Sequence, residues 1–250
     1  NFQRILAWQG VAALLWLGGG MLPGTARNAL WVAAVVVDYV GPAAGFFTPG
    51  LGRSTTADWT IAGGHLAERC QQFLIIALGE SVLDTGVALS GGAITPGMVG
   101  AVVVAFAGNV ALWWIYFDRG AGDSSAIILR ASDPGRLGRS AYTYFHLPMV
   151  AGVIVTAVAD EWTVAHPTQV SGAAALTILG GPVLFLVGHF LFKRAIFGKV
   201  AVSRLVAIVA LAVLMPIGLI ATPLALALAA TLILAAVAWW DTRHHVADAR

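Results

Sequence analysis

Long apolar runs separated by short polar turns dominate this chain, and they predict an all-α fold of membrane-spanning helices. The runs are continuous and rich in Ala and Leu, whereas the strands of a membrane β-barrel would alternate apolar and polar positions. A helix needs about 20 apolar residues to cross roughly 30 Å of hydrocarbon. About eight stretches meet that need: residues 4–22, 28–47, 61–90, 97–117, 139–160, 171–192, 201–221 and 224–240.

Turn sequences lie where the connections between these stretches are expected. Pro-Gly pairs separate the first four stretches, and Pro167 and Pro223 precede two of the later ones. The longest connection, residues 118–138, is polar but too short to fold as a separate domain. We therefore expect a single transmembrane domain over residues 1–250, built as a polytopic helix bundle.

Composition strengthens this interpretation and excludes several other classes of protein. Of the 250 residues, 59% are hydrophobic and only 10% are charged, and the mean hydropathy is +0.85. Soluble domains carry about 25% charged residues, so most of this surface is expected to face the lipid bilayer. The formal net charge of +2 is too small to suggest nucleic-acid binding. The single cysteine, Cys70, excludes an internal disulfide framework.

The distribution of Lys and Arg predicts the orientation of the helices. With eight spans, all of the 14 basic residues except Arg27 and Arg69 fall at the termini or at the second, fourth and sixth connections. Basic residues accumulate on the cytoplasmic side during membrane insertion. Both ends of the chain are therefore expected to be cytoplasmic.

The third apolar stretch carries the candidate functional site. At 100° per residue, its polar positions share one sector of the helix. They are His65, Glu68, Arg69, Gln72, Gly79, Glu80 and Asp84. The first three lie at the cytoplasmic entrance, and Glu80 lies near mid-depth. Ionisable side chains within a membrane are costly, and they usually face the interior of a bundle or a water-filled path.

Two carboxylates one helical turn apart, Glu80 and Asp84, form the centre of this candidate site. In a low-dielectric environment both resist ionisation, which suits them to proton-coupled transport or cation binding. The alternative is a protonated Glu80 that holds two helices together by a hydrogen bond. Asp38 in the second stretch and Asn109 in the fourth lie at similar depth, and we hypothesise that they line one polar pocket with Glu80.

A second group of polar residues is expected near the cytoplasmic face. His146 and His189 lie there together with His65 and Glu68, and such side chains can ligate a metal or haem iron. No further ligand pair at helical spacing accompanies His65 and Glu68, so hydrogen-bonded interfacial histidines are the favoured interpretation. The sequence assigns neither a metal nor a cofactor.

Four segments together resemble the signature of one known family. They are Gly64–Arg69, Ile75–Ser81, Ala111–Arg119 and Tyr142–Pro148. They are similar to segments of the bacterial low-temperature-requirement A family, in the expected order. The resemblance implies a multi-pass protein of the bacterial plasma membrane, named for a cold-growth phenotype and without a biochemical activity that could be carried over.

The resemblance also bears on single residues and on the extent of the chain. Motif positions of the family are matched by His65, Glu68, Arg69, Glu80 and His146, and more loosely by Asp38. Family members normally begin with additional spans and an acidic motif near their start, which this sequence lacks. We therefore expect an N-terminally truncated chain, which carries only part of the site if the missing region contributes carboxylates to the same cavity.

Three functions are compatible with these residues. The favoured hypothesis is a transporter- or channel-like protein in which Glu80, with Asp84 or Asp38, binds a proton, a cation or a cationic small solute. The second is a membrane-embedded enzyme with a cytoplasmic-face site at His65, Glu68 and His146, and enzymatic activity is the less favoured expectation. The third is a non-catalytic sensor or scaffold whose polar stripe binds a partner helix, and a homo-oligomer is compatible with each.

Overall fold

The computed structural model describes residues 2–56, 62–89, 94–118 and 120–248, and about 84% of the molecule is helical with no strands in the described part. The α-helices are α1 (Phe2–Gly20), α2 (Gly24–Ala43), α3 (Gly63–Leu89), α4 (Pro96–Phe117), α5 (Gly120–Arg130), α6 (Pro134–Leu137), α7 (His146–Ala165), α8 (Gly172–Phe197), α9 (Val202–Gly218) and α10 (Pro223–Asp248). A π-helical segment, Gly138–Tyr144, joins α6 to α7. The predicted all-α fold class is confirmed.

The chain divides into two compact units, Asn1–Ile61 and Ala62–Arg250. In the first unit, α1 and α2 pack side by side as an antiparallel hairpin. The indole Nε1 of Trp16 donates a hydrogen bond to Asp38 Oδ2 at 3.1 Å, and that of Trp8 donates to the carbonyl of Phe47 at 3.0 Å. The single transmembrane domain over residues 1–250 stays a prediction.

The second unit is organised around the closely packed pair α7 and α8. A Cβ atom on Gly152 would lie 2.6 Å from the carbonyl oxygen of Gly181, and one on Gly188 would lie 2.8 Å from that of Phe145. Small residues that let two backbones approach in this way are typical of helix contacts in membranes. The pair therefore forms the core of the second unit, and Met149 and Phe185 are fully buried in it.

The remaining long helices of the second unit surround this pair. Helices α3 and α4 both pack against α7 and against each other, while α9 and α10 pack against α8. Helix α10 also packs against α4, which closes the bundle. As a result, the inner faces of α3, α4 and α7 meet along one line, and those of α8, α9 and α10 meet along another.

Turn chemistry in the sequence marks the ends of these helices. Thr95 caps α4 by accepting a hydrogen bond from the backbone N–H of Met98, and Pro96 occupies the first turn, where no N–H is needed. Helix α8 ends at Phe197 and is capped by Gly198, whose φ of 67° lies in the left-handed region that favours glycine. The predicted connections before residue 97 and after residue 192 are found close to these positions.

The prediction of about eight spans is not confirmed. Five helices of the described part are long and apolar enough to cross a membrane: Gly63–Leu89, Pro96–Phe117, Pro134–Ala165, Gly172–Phe197 and Pro223–Arg243. The stretch predicted at 201–221 forms α9, which has only 17 residues. The first two predicted stretches form α1 and α2, which are not among these five helices.

Candidate functional site

Helix α3 turns its apolar side, not its predicted polar stripe, towards the interior of the second unit. Its buried residues are Gly63, Ala67, Leu74, Leu78, Ser81 and Thr85. The polar stripe occupies the other face, where His65, Glu68, Arg69, Gln72 and Glu80 are exposed and Asp84 is half-buried. The expectation that the stripe faces the interior of this bundle is therefore not met within the second unit, because Leu74 and Leu78 fill that position.

At the N-terminal end of α3, His65 and Glu68 form only a loose surface pair. His65 Nδ1 lies 3.6 Å from Glu68 Oε2, and the two side chains are 82% and 65% exposed. An exposed pair of this kind contributes little to stability, because water and ions screen the attraction. Arg69 is exposed beside them.

The predicted partner of Glu80 on α4 makes other contacts. Asn109 is buried, and its Nδ2 donates hydrogen bonds to Ser81 Oγ at 3.0 Å, to the carbonyl of Ala105 at 3.1 Å and to Asp160 Oδ2 at 3.4 Å. Ser81 Oγ in turn lies 3.4 Å from Asp160 Oδ2. We call Ser81, Asn109 and Asp160 the triad; it lies where α3, α4 and α7 meet, away from the exposed Glu80 side chain.

Asp160 was missed by sequence reasoning because the fifth stretch was predicted to end at that residue. Helix α7 continues to Ala165, so the carboxyl group lies inside the helix and is buried. A signal was present: Thr156, Asp160 and Thr163 are spaced by four and three residues, which places them on one helix face, and all three are buried.

Asp38 belongs to the first unit, where it is half-buried and accepts the hydrogen bond of Trp16. Asp38 lies on α2, the helix that the second apolar stretch forms, as expected. Its grouping with Glu80 in one pocket stays a prediction.

His146 is held in a dense aromatic environment at the start of α7. One ring nitrogen, Nδ1, lies 2.9 Å from the carbonyl of Ala141, and because a carbonyl only accepts, this nitrogen must carry the hydrogen. The other, Nε2, then accepts from the hydroxyl of Tyr116 at 2.8 Å. The ring stacks on Tyr142 and meets the edge of Phe192. Both nitrogens of this buried ring are thus engaged, whereas His65 and Glu68 are exposed.

A buried ion-pair cluster ties together α8, α9 and α10. Arg204, only 1% exposed, forms a salt bridge through Nη1 with Asp241 and donates from the same atom to Ser203 Oγ at 2.8 Å. Its Nε donates to His189 Nδ1 at 3.3 Å, and Lys193 Nζ lies 3.7 Å from Asp241. Sequence reasoning counted Arg204 among the loop charges; its position inside a run of apolar residues was the available signal.

The described residues contain no group of three or more His, Cys, Asp and Glu side chains that could hold a metal ion. A cavity of about 10 Å³ lies between α4 and α8, with Tyr116, Asp118, His189, Phe192 and Lys193 among its lining residues. A space of that size accommodates about one water molecule. This part of the molecule therefore offers room for solvent but not for an organic substrate.

Long apolar helices with few, deeply buried polar contacts define a multi-pass helical membrane protein. Residues 1–239 match the family described as Bacterial low temperature requirement A protein (LtrA), and the chain belongs to this family. It is 38% identical over 195 residues to an uncharacterized protein of Rhizobium meliloti (strain 1021), covering 78% of this chain and 48% of that protein. The chain thus spans about half the length of this curated relative. No solved structure matches this chain.

Proposed function

We propose that this protein is transporter- or channel-like, and that Glu80, together with Asp84, binds a proton, a cation or a cationic small solute within the membrane. The observation that supports the proposal most directly is the exposure of Glu80 on α3, a helix that is long and apolar enough to span a membrane. Asp84 lies one turn further along the same face and is half-buried.

The physical argument rests on the cost of placing a carboxyl group in hydrocarbon. Ionisable side chains in membrane-spanning helices face a bundle interior or a water-filled path. Glu80 has no place inside the second unit, because Leu74 and Leu78 occupy the inner face of α3. A polar environment on the outer face of α3 therefore has to accommodate it, and two nearby carboxyl groups select for positive charge.

The enzyme hypothesis has less support. It needs His65, Glu68 and His146 to act on one substrate, but His146 is buried with both ring nitrogens hydrogen-bonded, while the other two side chains are exposed. The scaffold hypothesis uses the same exposed stripe of α3 as the surface for a partner helix. It predicts a stable complex with another protein and no flux of ions.

Flux through reconstituted protein tests the proposal. The 250-residue chain would be inserted into liposomes containing a pH-sensitive dye, and proton movement would be followed after imposing gradients of pH and of Na⁺ or K⁺. Glu80→Gln is expected to lower the flux by about tenfold or more, because a neutral amide cannot exchange a proton or pair with a cation.

The matched control is Glu161→Gln, which removes an exposed acid on α7. It should leave the flux unchanged. Absence of flux in correctly inserted wild-type protein, or equal flux in wild type and Glu80→Gln, would contradict the proposal. Circular dichroism and gel filtration of the same preparations establish that each variant is folded.

A further inference from the structure

We infer that the triad Ser81, Asn109 and Asp160 forms a binding site for one sodium ion where α3, α4 and α7 meet. The site is distinct from the outer face of α3, because Ser81 points to the buried side of that helix and Glu80 to the exposed side. The inference does not depend on the proposed function: a sodium ion bound here can stabilise the bundle whether or not the protein transports anything.

The spacing of the oxygen atoms is the first observation. Ser81 Oγ and Asp160 Oδ2 are 3.4 Å apart, which is longer than an ordinary O–H···O hydrogen bond of about 2.5–3.0 Å. Two oxygens that bind one ion at right angles with bonds of about 2.4 Å lie about 3.4 Å from each other; bonds of 2.3–2.6 Å are usual for a hard cation the size of Ca²⁺. Na⁺ has nearly the same radius, whereas K⁺ requires longer bonds.

The amide of Asn109 is the second, independent observation. Its Oδ1 has no hydrogen-bond partner in the described part of the chain. The residue is only 5% exposed, so the atom is buried. A buried acceptor without a partner costs about 1–3 kcal/mol, so such a group calls for an explanation.

Rotation of this amide by half a turn would turn Oδ1 towards the triad and move Nδ2 to the position that now lacks a partner. It would place Oδ1 where Nδ2 now lies, 3.0 Å from Ser81 Oγ, 3.4 Å from Asp160 Oδ2 and 3.1 Å from the carbonyl of Ala105. Three other oxygens would then lie within 3.4 Å of Oδ1, an arrangement that is unfavourable without a cation and favourable with one. The amide thus has two arrangements: Nδ2 donates to the triad without the ion, and Oδ1 binds the ion when it is present.

Charge determines which ion fits. Asp160 is 7% exposed and forms no ion pair with the side chains that the structure describes. The buried Arg204 and the half-buried Lys193 of the same unit are paired with Asp241 in the ion-pair cluster. A buried carboxyl group either holds a proton or pairs with a positive charge, and one monovalent ion supplies such a charge, whereas a divalent ion would leave one positive charge uncompensated. Radius and charge together select Na⁺.

Equilibrium binding of radioactive ²²Na⁺ to the purified chain in potassium buffer tests the inference. One saturable site is expected, displaced by unlabelled Na⁺ but not by K⁺. Asp160→Asn and Asn109→Ala should each weaken binding by about tenfold or more, because the first removes the negative charge that pairs with the ion and the second removes an oxygen ligand. Glu161→Gln, the neighbouring exposed acid on α7, is the matched control and should bind as wild type does.

Thermal unfolding of the wild-type chain keeps the test decisive if a variant fails to fold. A ligand that binds only the folded state raises Tm, so replacing K⁺ by Na⁺ at constant ionic strength should raise Tm of wild type but not of Asp160→Asn. An equal Tm of wild type in the two salts, or undiminished ²²Na⁺ binding by Asp160→Asn, would overturn the inference. Loss of binding in Glu80→Gln with retention in Asp160→Asn would also overturn it, since the ion would then be bound on the outer face of α3.

Discussion

Several buried polar side chains in the second unit occur in groups linked by hydrogen bonds or ion pairs. The triad joins α3, α4 and α7, the hydrogen bond between Tyr116 and His146 joins α4 to α7, and the ion-pair cluster joins α8, α9 and α10. Within a membrane, apolar side chains gain little by leaving lipid for the protein interior, so packing and polar contacts of this kind carry more of the helix association. Single substitutions at these positions are therefore informative.

Loss of Arg204 is predicted to be strongly destabilising. Arg204→Ala leaves Asp241 buried at 6% exposure without its closest partner, and Lys193 at 3.7 Å and the hydroxyl of Ser203 at 3.1 Å remain. Breaking a buried pair on one side costs about 3–5 kcal/mol, and the low end is expected here because Lys193 compensates in part. Denaturant unfolding in detergent measures the loss.

The exposed Arg194 on α8 is the control for this substitution, and Arg194→Ala should change the free energy of unfolding by less than about 0.5 kcal/mol. The double variant Arg204→Met with Asp241→Leu should recover stability relative to Arg204→Ala, because the buried carboxylate that lost its partner is removed. Equal stability of Arg204→Ala and wild type would show that the buried ion pair does not hold α9 and α10 together.

At the level of the helices, close backbone contact between α7 and α8 organises the second unit. Glycines at positions 152, 181 and 188 leave no room for a side chain where the two backbones meet. This contact sets the rotation of α7 about its axis, and the rotation directs Asp160 towards α3 and α4. The helix pair therefore positions the triad as well as the core.

Gly152→Ala is predicted to separate this pair. The added methyl group would meet the carbonyl of Gly181 and the backbone of Phe185, and overpacking of this kind costs about 1–3 kcal/mol. The matched control is Gly180→Ala on α8, where an added Cβ meets nothing within 4 Å and greater helix propensity should preserve or raise stability. The two variants would be compared by thermal unfolding in detergent, and an equal effect of both would argue against close packing as the cause.

For the whole molecule, the second unit has one basic end. The end that contains the start of α3, the C-terminal end of α8 and the start of α9 carries exposed basic side chains such as Arg69, Arg194 and Lys199. The opposite end, which contains the connection from α7 to α8, has none among residues 166–171. Because basic residues accumulate in the cytoplasm, we expect the basic end to be cytoplasmic.

Labelling of intact cells with a membrane-impermeant thiol reagent tests this orientation. In a Cys70→Ala background, Thr168→Cys on the opposite end should react from outside, because Thr168 is exposed. Lys199→Cys, also exposed, should react only after the membrane is opened. The reverse pattern would contradict the predicted orientation, and labelling of both in opened membranes confirms that each thiol is reachable.

Helix existence and membrane character could be predicted from the order of residues along the chain. A helix that crosses a bilayer needs a long apolar run, and such a run is a local property of sequence, so α3, α4, α8 and α10 were found close to their predicted positions. The ends were less certain, as the continuation of α7 to Ala165 beyond the predicted residue 160 shows.

The arrangement of partners required the folded molecule. Helical periodicity correctly placed Glu80 and Asp84 on one face of α3, but it could not say that this face lies outside the second unit or that Asn109 meets Asp160. The reason is physical: periodicity gives the relative angles of side chains on one helix, whereas neighbours and absolute rotation depend on the packing of several helices at once. For the same reason Arg204 and Asp241, 37 residues apart along the chain, are identified as a pair only once α9 and α10 lie side by side.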